Sequence, residues 1–202
     1  MKPAPTRVAR KPGRPLSFDR EAALDAAMRL FWEQGFEATS VAELTQAMGV
    51  TPPSLYAAFG DKRSLFREAV DHYLGGLEPI LESIRNAATA REAAHRLLIS
   101  AAVGDTGEDT PPGCLLASSI VSSSAGAAAV REEIAAIRRQ IETTLRERIA
   151  SDITNGKLSA STDAEATAGH VFAVIQGMST LAKDGAGRDK LLRIAETAMR
   201  CW

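Results

Sequence analysis

From Asp19 onward the apolar positions of the chain fall at helical spacings. Leu24, Ala27, Met28 and Phe31 recur every three or four residues and share one face. Asp19 precedes them as a natural N-cap, and Gly35 follows where a left-handed residue would stop the helix. A second helix is predicted over about 41–48. Ser40 caps it, Glu43 completes a capping box, and Leu44 and Met48 continue the apolar face up to the turn at Gly49. The next stretch, VTPPSLYAAFGDK (50–62), sets two prolines side by side. With Thr51 as N-cap, Pro52 takes the first helical position and Pro53 lies in the same turn, where amides have no intrahelical partner. The prolines therefore begin a helix rather than break one, with Leu55 and Phe59 facing the core and Ser54, Tyr56, Ala57 and Ala58 facing elsewhere. A fourth helix starts near Asp61 or Lys62 and carries Leu65, Phe66, Ala69 and Val70, with Gly75-Gly76 as its weak point and Pro79 as a kink or end.

Beyond this, residues 91–103 read as a helix and GDTGEDTPPG (104–113) as a polar loop. A small-residue helix is predicted over 114–125, and a long amphipathic one over 127–153 that ends at Asn155-Gly156. Two last helices, about 163–183 and 189–200, flank DGAG (184–187). The expected fold is all-α. Residues 1–16 form a flexible basic arm and 17–62 a head in which two short helices meet at a glycine turn, the helix-turn-helix arrangement. Residues 63–202 form a larger helical body.

Composition narrows the function. The chain has 202 residues, 45% hydrophobic but only 5% aromatic, and alanine is abundant, which favours helices over sheets. No apolar run approaches the roughly 20 residues of a membrane span, so no membrane partner and a cytoplasmic location are expected. Cys114 and Cys201 are far apart, and His72, His95 and His170 are scattered, so neither a disulfide framework nor a metal site is expected. No Ser-His-Asp order, phosphate-cradling loop or paired carboxylate set appears, so no enzymatic activity and no cofactor are expected. Residues 1–20 hold Lys2, Arg7, Arg10, Lys11, Arg14 and Arg20 against Asp19 alone, so the other 182 residues carry −6 of a net charge of −1. A basic arm on an acidic body points to a polyanion at one end.

The motifs A-x-x-L-F-x-x-x-G-F (27–36), T-S-V-x-x-L (39–44), A-M-G-V (47–50) and S-L-Y-x-x-F-x-x-K (54–62) carry a specific likeness. Residues 17–66 resemble the DNA-binding domain of the tetracycline-repressor (TetR-like) family of bacterial regulators. GMSTLAKDGAGRDKLLRIAETAM (177–199) is similar to that family's last two helices, with a weaker signature. The resemblance implies a ligand-responsive transcriptional regulator, a repressor released from a pseudo-palindromic DNA operator by a small-molecule effector. The alternative is a helical ligand-binding or enzymatic protein whose head contacts other proteins.

Position by position, the resemblance implies phosphate contacts at Ser40, Ser54, Tyr56 and Lys62, and base-edge readers at Ala42, Pro52, Pro53 and Ala57. Alanine and proline cannot form bidentate bonds to guanine or adenine, but they can pack on thymine methyls. RKPGRP (10–15) resembles an AT-hook, with Arg14 placed to enter a narrow A·T minor groove. The resemblance also implies a homodimer built on the last two helices, for which Ala168, Val171, Phe172, Ile175, Ser179, Leu191, Ile194 and Ala198 are the candidates. Effector contacts are assigned to Cys114, Ile120, Ile137, Ile141, Phe172 and Gln176. At Cys114 two readings compete: a helix start that lowers the thiol pKa, and a packed apolar position, which Leu115 and Leu116 favour.

Overall fold

The computed structural model describes residues 18–118 and 128–202, so Arg14 and Ile120 lie outside the described residues. The order is α1 (Arg20–Gln34), α2 (Val41–Met48), α3 (Pro52–Phe59), α4 (Lys62–Leu74), α5 (Leu77–Arg85), α6 (Ala90–Gly104), α7 (Leu115–Ser118), α8 (Ala128–Thr154), α9 (Ala164–Lys183) and α10 (Arg188–Ala198), closed by a 3₁₀ turn at Met199–Cys201.

Local chemistry sets the first boundaries. Asp19 accepts from the amides of Glu21 and Ala22, and Gly35 closes α1 at φ 82°. Ser40 and Glu43 form the reciprocal capping box, with Ser40 N–H donating to Glu43 Oε2 at 2.8 Å. Thr51 caps α3 over its two prolines, and Asp61 caps α4 by accepting from Ser64 N at 2.7 Å.

Two expectations change further along. Gly75 and Gly76, both at positive φ, end α4 and start a separate helix, α5. Pro79 neither kinks nor ends anything: it is the third residue of α5, where a missing N–H breaks no helical bond. Of the helix predicted over 114–125, Leu115–Ser118 is helical and 119–125 lie outside the described residues.

Two apolar clusters organise the chain. The first joins Phe31, Leu44, Leu55 and Phe59 of α1–α3 to Leu65, Phe66, Ala69 and Val70 of α4, and takes in Leu115, Leu116, Val130 and Ile134. Phe66 meets Phe31 edge-on at 5.0 Å and Phe36 at 5.2 Å between ring centroids. Packing therefore does not divide at Lys62, because α4 closes the core of the head. The second cluster packs α5, α6 and α8 against α9 and α10, through residues such as Leu81, Leu98, Leu145, Met178 and Leu191. Ile137 touches both clusters. The turn into α6 is clamped by buried Asp152, which accepts from Ala90 N and from Arg148 Nη1, each at 2.6 Å. Removing either partner of such a buried pair costs about 3–5 kcal/mol.

Candidate nucleic-acid interface and ligand cleft

Leu55 and Phe59 anchor α3 in the head, and this fixes what the helix presents outward. Thr51, Pro52, Pro53, Tyr56, Ala57 and Gly60 form one exposed face, on which Tyr56 is 49% exposed. No residue of α3 is charged. Ser40 and Ala42 are likewise exposed, at the start of α2.

The polar groups there are largely engaged with one another. Ser54 and Thr51 share a hydroxyl–hydroxyl bond of 2.9 Å. Glu43 is held below the usual carboxylate range by its bonds from Ser40, and Asp61 by those from Ser64. Lys62 sits with its ammonium 4.5 Å from the centre of the Phe36 ring. Desolvation there lowers its pKa, with Glu37 and Glu43 opposing. Arg20 pairs with Glu68 at 2.5 Å and lies over the Phe59 ring, so it fastens α1 to α4 and α3. What the face can do is pack apolar groups into a groove, with a phenol and one ammonium beside them.

Among the described residues the effector candidates fall in different environments. Ile141 is buried in the core of the body, Phe172 and Gln176 lie part-exposed on α9, and Cys114 packs beside Tyr73. The Tyr73 hydroxyl donates to Cys114 Sγ at 3.4 Å, and Cys114 N–H donates to Ser179 Oγ at 2.8 Å. Burial pushes the Cys114 thiol up, so the start of α7 does not give the lowered pKa that a helix start can produce. Ile137 does line a cleft, of about 380 Å³, between α4 and α8. Its other walls include Phe66, Val70, Leu74, Leu77 and Ile134, with Glu133, none of which periodicity singles out as ligand-facing.

The dimer candidates also divide. Ala168, Val171, Ser179, Leu191 and Ala198 are buried within the chain's own core and are not available to a partner. Phe172, Ile175 and Ile194 remain part-exposed on α9 and α10. The sequence pattern merged these two faces because both are apolar. No helix among the described residues is long and apolar enough to cross a membrane, and none of them group three His, Cys, Asp or Glu side chains as a metal site.

Comparison with known proteins agrees with this geometry over nearly the whole chain. Residues 23–69 match the family described as "Bacterial regulatory proteins, tetR family", and residues 96–198 match "Tetracyclin repressor-like, C-terminal domain". The HTH-type transcriptional repressor ComR of Escherichia coli K12 is 34% identical over 197 residues, covering 96% of this chain and 94% of that protein. The HTH-type transcriptional repressor BdcR of the same organism is 33% identical, over 94% of this chain and 92% of that protein. Among solved structures, a cysteine mutant of the TetR family regulator CifR, complexed with 26-base-pair operator DNA, superposes with a TM-score of 0.85 at 41% identity, covering 94% of this chain and 100% of that one. With the capped helix-turn-helix head and the all-helical body, these matches place the chain in a single lineage: it belongs to the tetR family of bacterial regulatory proteins.

Proposed function

We propose that the protein is a one-component transcriptional repressor that acts from the cytoplasm and catalyses no reaction. The observation that carries this reading is the exposed, uncharged face of α3, held rigidly by Leu55 and Phe59 beside the start of α2. Such a helix fits the major groove, and one head covers only a half-site. Two chains joined through Phe172, Ile175 and Ile194 would set their α3 helices about 34–36 Å apart and hold an inverted repeat. Ser40, Ser54, Tyr56 and Lys62 are the phosphate contacts in this reading, Ala42, Pro52, Pro53 and Ala57 the base contacts, and Arg14 a minor-groove contact. The similarity to the HTH-type transcriptional repressors ComR and BdcR, and to CifR complexed with operator DNA, supports it.

Release follows from the position of α4, which is separated from α3 by only two residues and borders the cleft against α8. A small molecule that favours one placement of α4 shifts the population away from the DNA-binding spacing. Gel shift of the full-length protein on DNA upstream of its own gene is the test. A complex of one dimer on a short inverted repeat is expected. Folded protein that shifts no duplex would instead favour a helical binding protein with a protein-contacting head.

A further inference from the structure

Arg63 Nη2 donates to Glu133 Oε1 at 2.5 Å, tying the first turn of α4 to α8. The other carboxylate oxygen, Glu133 Oε2, is buried and has no hydrogen-bond partner among the described residues. Glu133 lines the cleft of about 380 Å³, whose walls are otherwise mainly apolar. Arg67 and Asp71, both exposed, add one charge of each sign. The volume suits a small organic molecule.

We infer that this cleft is the effector site, and that its ligand is an apolar molecule carrying a protonated amine, which takes Glu133 from Arg63. The inference rests on the regulator reading above and deepens it. A hydrocarbon or an anion would offer Oε2 no donor and leave it unpaired, which is unfavourable. A cation satisfies the carboxylate. The Arg63 side chain is 48% exposed and returns to water at little cost, because exposed ion pairs contribute little. The exchange therefore keeps the local charge balanced while the ligand's apolar part gains the walls of the cleft. It also cuts the Arg63–Glu133 tie close behind the recognition helix, so that occupancy of the cleft and position of the head are linked.

Calorimetry on the full-length protein with 4-phenylbutylamine, 4-phenylbutan-1-ol and 4-phenylbutanoate tests this. The amine is expected to bind about tenfold more tightly than the alcohol, and the carboxylate more weakly than either. Glu133→Gln should bring amine and alcohol to within about twofold, and Arg63→Met should raise amine affinity about threefold by removing the competitor. Melting curves check that both variants are folded. Equal affinity of amine and alcohol for the wild type, no binding of either, or amine preference persisting in Glu133→Gln would overturn the inference. Gel shift separates the two levels. Wild-type protein that binds operator but is not released by the amine sinks this inference alone, whereas failure to bind operator without any ligand sinks the regulator reading.

Discussion

The indole Nε1 of Trp32 donates to the carbonyl oxygen of Gly113 at 2.7 Å, a buried hydrogen bond between α1 and the loop before α7. The same loop reaches the body, where Arg188 Nη2 donates to Thr106 O at 2.9 Å and Gly113 N–H donates back to Asp105 O at 2.9 Å. Trp32→Phe leaves a buried carbonyl unpaired and is expected to cost about 2–3 kcal/mol. Gly113→Ala should cost about 2 kcal/mol or more. Its φ of 81° suits glycine, and an added Cβ would lie 2.9 Å from Ser179 O. Urea unfolding of both variants and of the double variant measures this. The costs should not add, because both changes act on one contact; simple additivity would remove that contact as their common cause.

The uncharged face of α3 predicts how the operator is read. Replacing individual thymines of a half-site by deoxyuridine deletes only a methyl group. At positions packed against Pro52, Pro53 or Ala57 it should weaken binding about threefold to fivefold, the value of one buried methyl-sized group. Gel shifts with singly substituted duplexes give the profile. A half-site insensitive to every such replacement would place recognition in DNA shape or in the arm instead.

Assembly can be separated from folding because the structure separates the two apolar faces. Phe172→Glu or Ile194→Asp should give folded monomers that lose tight operator binding, since each puts a charge on a part-exposed position. Leu191→Asp should instead unfold the chain, because Leu191 lies wholly inside its own core. Sedimentation together with circular dichroism distinguishes these outcomes. Dimers surviving both surface changes would move the interface elsewhere.

A pH effect is expected from Asp105. It is 3% exposed, and one of its carboxylate oxygens has no partner among the described residues. Burial pushes its pKa up to about 7 from an ordinary 3.8, with Lys183 opposing. The folded state then holds a proton that the unfolded chain has released, so stability falls as pH rises between these two values. Asp105→Asn should therefore be more stable than wild type at pH 8, by on the order of 2 kcal/mol, and gain nothing at pH 3.5. Thermal unfolding at the two pH values decides it, and an equal gain at both would rule out titration of Asp105.

The head was legible because its boundaries are set by neighbours in sequence. Asp19, the Ser40–Glu43 box, Thr51 with its prolines, and Asp61 each cap from within three residues. Pro79 misled because proline ends a helix or sits in the first turn of one, and only the two preceding glycines tell these apart. On α9 the apolar residues cover more than one face, so periodicity alone could not say which of Val171 and Phe172 faces the core. The cleft was invisible for another reason. Arg63 and Glu133 stand 70 positions apart, and each reads in isolation as an ordinary surface charge.

The doubled proline has an electrical consequence for the recognition helix. A helix usually offers four free amides at its start, which makes that end a phosphate cradle. Here Pro52 and Pro53 have no amide hydrogen, Ser54 N–H is turned back onto Thr51 Oγ1, and Leu55 N–H is bonded to Thr51 O. The tip of α3 therefore keeps the positive end of its dipole, but what it can extend is side-chain hydroxyl rather than a row of amides. In the regulator reading, a duplex meeting this end would find prolines where a row of amides would cradle a phosphate, so strand contacts would fall to Ser54, Tyr56 and Lys62 and the tip would be left for the bases.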